Sequence, residues 1–173
     1  SAVGDAQGYV APLLNPDDSV PNGHGTFVAG LALYGDVEAC IRSGAFVPLL
    51  RLFSGKVFKD DGSDQTEFVE RAVEEAVRYF QGEYQCRVFN LSYGDLNKVY
   101  DGRHLRGLAY TLDRLTRELD VLFVVPTGNF DENLQAPRNQ YPDYLLANGA
   151  RLLDPAPALN ALTVGGLAVK TAS

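Results

Sequence analysis

Short apolar runs alternate along this chain with stretches of helical periodicity, and few architectures accommodate that order. Residues 45–53, AFVPLLRLF, form a nearly continuous apolar run, as expected of a strand buried on both faces. In the following KDDGSDQTEFVERAVEEAVRYF, the residues Val69, Ala72, Val73, Ala76, Val77 and Phe80 recur at helical spacing, and Asp64 with Glu67 reads as a capping pair. CRVFNLSYG (86–94) is strand-like, and Leu105, Leu108, Ala109, Leu112, Leu115 and Leu119 mark a second amphipathic helix. VLFVVPTGN (121–129) is another buried strand and NALTVGGLAV (160–169) a fourth. Strands separated by helices predict right-handed parallel crossovers, hence an α/β fold with three α/β/α layers and a mostly parallel sheet. Residues 130–157, rich in Pro, Asn and Asp, read as a long irregular connection. In sheets of this kind ligands bind beyond the carboxyl ends of the strands.

Size and charge restrict the setting further. The 173 residues, 46 % of them hydrophobic, suit one domain with one core. A net charge of −7 argues against nucleic acid and anionic membrane as partners. No apolar run has membrane-spanning length, and no basic-then-apolar leader opens the chain. Cys40 and Cys86 are too few for a disulfide framework, although one bridge is open to them. The start, SAVGDAQGYV, and the end, VKTAS, read as cuts made within a longer chain.

Two strand-end segments, NLSYG and VVPTGNF, put glycine and small polar residues where a site belongs. In the second, Asn129 offers a carboxamide able to donate an N–H to an oxyanion without carrying charge. A loop-stabilising Asn after Gly128 is the plain alternative. His24 sits in PNGHGTFVAGLALYG (21–35), between Gly23 and Gly25 and ahead of an apolar, helix-compatible run. With the helix starting near Thr26, the imidazole lies at its N-terminus, where unpaired N–H dipoles disfavour a cation, as suits a general base. A histidine completing a turn is the alternative. His104, flanked by Arg103 and Arg106, reads as solvated surface.

Taken in order, GHGTFVAG, NLSYG, VVPTGN and LTVGG resemble the subtilisin-like serine peptidases, the subtilases, over residues 23–169, with 1–22 as a loop-like lead-in. The first motif is specific; the others gain weight from their order. The resemblance implies a truncated subtilisin-like domain in which His24 is the general base and Asn129 the oxyanion donor. It implies that Ser92, Tyr93 and Gly94 form a cleft wall pairing with an extended peptide or protein substrate, the strand-addition mode of recognition. Pro126, Thr127 and Gly128 would line the pocket for the residue before the scissile bond. It also implies that the helix after His24 runs buried through the core. Calcium is common in this family, but no ligand set is legible here and no cofactor is expected.

Two departures accompany the match. The family's triad aspartate lies in an Asp-Ser/Thr-Gly turn before the histidine, whereas Asp5, Asp17 and Asp18 stand in no such turn. Its nucleophile lies in a Gly-Thr-Ser motif, which this sequence lacks. The chain therefore reads as a middle portion of a peptidase domain, inactive alone and prone to self-association through its open edges. A non-catalytic relative serving as a binding or scaffold module is the rival reading; a Rossmann-type cofactor domain lacks its Gly-x-Gly-x-x-Gly turn. Other motifs carry less. DDGSD from Asp60 has Arg71, not Glu, at the twelfth position of a calcium loop. Asn90 to Ser92 matches a glycosylation sequon on a strand end, and Ser92 lacks the Gly-x-Ser-x-Gly elbow of a nucleophile. Two histidines and two scattered cysteines make no metal cluster. Neither localisation nor cleavage preference is legible, beyond the bulky apolar wall that Tyr93 offers.

Overall fold

The computed structural model describes residues 8–12, 14, 23–58, 69–129, 142–143 and 150–166. The chain divides into two compact units, Ser1–Gln85 and Cys86–Ser173. In the first, β1 (Tyr9–Val10), α1 (His24–Tyr34), α2 (Val37–Ser43), β2 (Gly55–Lys56) and α3 (Val69–Tyr84) follow one another. β1 pairs with β2 in parallel, so the lead-in read as loop-like contributes a short strand.

Helix α3 follows its sequence pattern closely. Val69, Ala72, Val73, Ala76, Val77 and Phe80 are all buried. The opposite face carries the Arg71–Glu75 and Glu74–Arg78 ion pairs at 2.7 and 2.9 Å, a four-residue spacing that brings partners together on a helix. Rings from Tyr9, Phe53, Tyr79, Phe80 and Tyr84 cluster on its apolar side, with Phe53 stacked on Tyr84 at 4.6 Å. Burial, and then the neighbouring Glu75, push the Tyr9 hydroxyl above the usual phenol range. Asp64 and Glu67, the expected capping pair, lie outside the described residues, as does the DDGSD segment.

Two expectations fail in this unit. Residues 45–50 form no strand, and Val47 and Leu49 are 70 and 72 % exposed. Pro48 has no N–H to give a ladder, and no described segment flanks the run as a strand; the Leu49 N–H goes instead to the Leu33 carbonyl of α1 at 2.7 Å. Helix α1 likewise buries only Leu33, with Phe27 and Leu31 exposed. HGTFVAGLALY has no charged residue and suits a helix surrounded on all sides, but the described residues do not supply that cover. Helix α2 is short and exposed, capped by the Asp36 carboxylate on the Ala39 N–H at 2.9 Å.

The second unit contains β3 (Val88–Asn90), β4 (Asp95–Val99), α4 (Gly107–Leu119), β5 (Leu122–Pro126), β6 (Leu153–Asp154) and β7 (Leu162–Val164). β3, β5 and β7 form a parallel sheet in that order, with Asn90 opposite Val124 and Pro126 opposite Val164. The α/β class and parallel pairing read from the sequence are present, and α4 is the crossover between β3 and β5. Leu108, Ala109, Leu112 and Leu115 of α4 are buried as the periodicity predicts; Leu105 precedes the helix, and Leu119 is half-buried. β5 buries Phe123 and Val125 but exposes Leu122, so it is covered on one face rather than two.

The connection read as irregular holds more structure than expected. β6 pairs antiparallel with β4, a strand the sequence reading missed, and the Asp154–Pro155 peptide is cis. Just before α4, Asp101 accepts the N–H groups of Arg103 at 2.8 Å and His104 at 3.3 Å. These bonds hold its carboxyl below the usual range, so their contribution to stability is present at neutral pH and lost on acidification.

Because Leu112 of α4 is fully buried, Leu112→Ala should lower the free energy of unfolding by about 2–5 kcal/mol. Asp120 closes α4 in the left-handed region (φ 53°), a conformation Asn also tolerates, and its ion pair with Arg87 is exposed. Asp120→Asn should therefore cost under about 1 kcal/mol. Urea unfolding of both variants checks the contrast.

Candidate functional site

Parallel pairing brings the carboxyl ends of β3, β5 and β7 to one edge of the sheet. The chain leaves β3 into Leu91, Ser92, Tyr93 and Gly94, and leaves β5 into Thr127, Gly128 and Asn129. Main-chain bonds fix these exits: Leu91 N–H to the Val124 carbonyl at 3.0 Å, and Thr127 N–H to the Val164 carbonyl at 3.1 Å. Tyr93 donates its N–H to the Leu91 carbonyl at 2.9 Å, which tightens the first turn. The two turns meet at their glycines, since a Cβ placed on Gly94 would lie 3.4 Å from Gly128 Cα.

Seven of the eight residues singled out in the sequence thus share this edge: Ser92, Tyr93, Gly94, Pro126, Thr127, Gly128 and Asn129. Asn129 is exposed and follows Gly128, whose φ of +103° only glycine adopts readily. The Ser92 hydroxyl accepts the Asn90 carboxamide at 3.0 Å, which occupies both side chains of the sequon locally.

The eighth, His24, lies in the first unit as the opening residue of α1, two positions earlier than expected. Gly23 caps the helix with φ 54°, in the left-handed region, and the Phe27 N–H reaches the Gly23 carbonyl at 2.8 Å. The imidazole is exposed beside a first turn that no side chain caps. Asp5, Asp17 and Asp18 lie outside the described residues. His104 is exposed, as read.

Three residues of the second unit escaped the sequence reading. Leu153, 5 % exposed, donates its N–H to the Thr127 carbonyl at 3.3 Å and packs on Gly128. Asp154 and Asp113, 7 and 5 % exposed, use their carboxylates on backbone N–H groups, Asp154 on Leu108 and Ala109, Asp113 on Leu159 and Asn160. Asp113 had a legible signal, a carboxylate set into the apolar stripe of a helix. Asp154 had none, because its partners lie 46 and 45 residues earlier.

Beside the start of α4 lies a cavity of about 330 Å³ whose lining includes Lys98, Tyr100, His104, Arg106 and Asp154. None of the eight residues lines it. Among the described residues, no group of three or more His, Cys, Asp or Glu side chains is placed to hold a metal ion, and no helix is long and apolar enough to cross a membrane. Neither cysteine is in a disulfide.

Comparison with known proteins adds a family. The model of the subtilase family matches residues 6–172. An uncharacterized protein, y4bN, of Sinorhizobium fredii (strain NBRC 101917 / NGR234) is 41 % identical over 98 residues, 54 % of this chain and 23 % of that protein. The match thus spans about a quarter of that curated relative's length. No solved structure matches.

The glycine at 128 gives a direct test of the edge. A Cβ there would fall 2.7 Å from Leu153 Cγ and Cδ1, on top of the unfavourable φ. Gly128→Ala should cost at least about 1–3 kcal/mol, whereas Gly25→Ala, in a helix with open space around it, should be neutral or stabilising by up to about 1 kcal/mol. Equilibrium denaturation of the two variants distinguishes them.

Proposed function

We propose, from the premise that this chain belongs to the subtilase family, that it supplies the general base and the oxyanion donor of a serine endopeptidase. The convergence of the 92–94 and 127–129 turns on one sheet edge is the observation that supports this reading most. In the reaction, a serine hydroxyl adds to the peptide carbonyl while His24 Nε2 takes its proton. The Asn129 carboxamide donates to the oxygen that becomes negative. His24 then returns the proton to the leaving amine, and water hydrolyses the acyl-enzyme.

Ser92, Tyr93 and Gly94 would pair with the extended substrate backbone, and Pro126, Thr127 and Gly128 would receive the side chain before the scissile bond. The nucleophile comes from residues other than these 173, which contain no Gly-Thr-Ser sequence. The rival, a binding module without catalysis, has no use for both an exposed imidazole at a helix start and a strand-end carboxamide. Exposed Phe27, Val47 and Leu49 support self-association of the isolated chain.

In the full protein, Asn129→Leu should lower kcat about a hundred- to a thousandfold with KM nearly unchanged, the range found for a carboxamide oxyanion donor in this family. His24→Ala should abolish labelling by a fluorophosphonate. The 173-residue chain alone should take no fluorophosphonate label by intact mass; a stoichiometric adduct on Ser92 would relocate the nucleophile. Full protein that neither cleaves peptides nor takes the probe would favour the binding module.

A further inference from the structure

We infer that Asp154 is a positioning residue for the strand-end wall, acting through Leu153; the inference rests on the peptidase reading, which assigns that wall to substrate. Its carboxylate accepts the Leu108 N–H at 3.0 Å and the Ala109 N–H at 2.8 Å. These are the donors an N-cap side chain normally takes, and Arg106 in the N-cap position offers no side-chain cap. A Ser or Asp at position 106 would satisfy the helix equally well. A cap brought from 46 residues away does something a local one cannot, because it fastens a second segment to the helix.

That second segment reaches the wall at the very next residue. Leu153 gives its N–H to the Thr127 carbonyl at 3.3 Å. Its side chain lies between the two glycine turns, Cδ1 being 2.7 Å from a Cβ built on Gly128 and 3.5 Å from one built on Gly94. On the other side, the Tyr100 N–H holds the Leu152 carbonyl at 2.9 Å. Helix α4 is anchored in turn by buried Leu108, Leu112 and Leu115. The spacing of the Ser92–Gly94 and Thr127–Asn129 turns is therefore referenced to a rigid helix, with the Asp154 carboxylate as the joint and Leu153 as the wedge.

Asp113 provides the internal comparison. It is as buried, belongs to the helix that Asp154 caps, and also accepts two N–H groups, from Leu159 at 3.1 Å and Asn160 at 2.7 Å. Those bonds secure the turn before β7 and have no direct bond to the wall.

The test uses the full protein and two peptides that differ only in the residue before the scissile bond, one small and one bulky and apolar, with active sites titrated by a fluorophosphonate. Asp154→Asn keeps the shape but turns an amide N–H toward a backbone N–H. It should change the ratio of the two kcat/KM values by about fivefold or more, mainly through KM. Asp113→Asn should lower the unfolding midpoint comparably and leave that ratio unchanged. Loss of stability in both variants with the ratio fixed in both would overturn the proposal. Where Asp154→Asn does not fold, Leu153→Ala retains the cap and must move the same ratio; an unchanged ratio overturns it again. If the unsubstituted protein cleaves neither peptide and takes no probe, the peptidase reading is what fails. Amide exchange then decides the positioning role by itself: Thr127, Gly128 and Leu153 should exchange about tenfold faster or more in Asp154→Asn than in Asp113→Asn, and equal rates in the two refute it.

Discussion

A buried carboxylate reaching the backbone N–H groups of a helix's first turn is the contact on which the second unit depends. Helix α4 opens with Arg106 in an extended conformation and no cap of its own, so its leading donors face the interior unmet unless another segment supplies oxygen. Asp154 supplies it, and the positive end of the helix dipole favours the charge it brings. Hydrogen bonds to an ionised group contribute about 1.5–3 kcal/mol each, and here they cross-link residues that are far apart in sequence. Asp113, one turn further along, reverses the direction: its carboxylate extends from the helix and accepts the Leu159 and Asn160 N–H groups. Together the two aspartates dock residues 153–160 onto α4 through main-chain donors.

The first unit is organised differently. Its ordered centre is α3, whose apolar stripe meets a cluster of rings and whose opposite face is laced with four-residue ion pairs. Helix α1 and the 45–50 segment are apolar without being enclosed. The residue with the most specific sequence signal, His24, thus stands on a helix that buries only Leu33, while the oxyanion candidate stands on a well-buttressed sheet edge.

What the sequence disclosed depended on how local the cause was. The six buried positions of α3 and the stripe of α4 follow from a 3.6-residue period that each helix carries within itself. β3, β5 and β7 were legible because their apolar runs end in glycine and small polar residues. β4 was not, since DLNKV has little apolar pattern and pairs with only two residues, Leu153 and Asp154, far along the chain. The 45–53 run was misread because continuous apolarity records a demand for cover, and the described residues do not meet it. For the site, motifs picked out the edge residues, but the wedge and joint behind them, Leu153 and Asp154, sit in a stretch whose composition suggests only a loop.

The edge itself has an evolutionary corollary. The bonds that set the exits of β3 and β5 run from main chain to main chain, Leu91 to Val124, Thr127 to Val164 and Leu153 to Thr127. None of them reads the identity of a side chain. Residues such as Ser92, Tyr93 and Thr127 can therefore be exchanged one at a time across a lineage, changing the chemistry of the face while the frame beneath stays in register. Gly128 is barred from that drift, because neither its handedness nor the space beside Leu153 admits another residue.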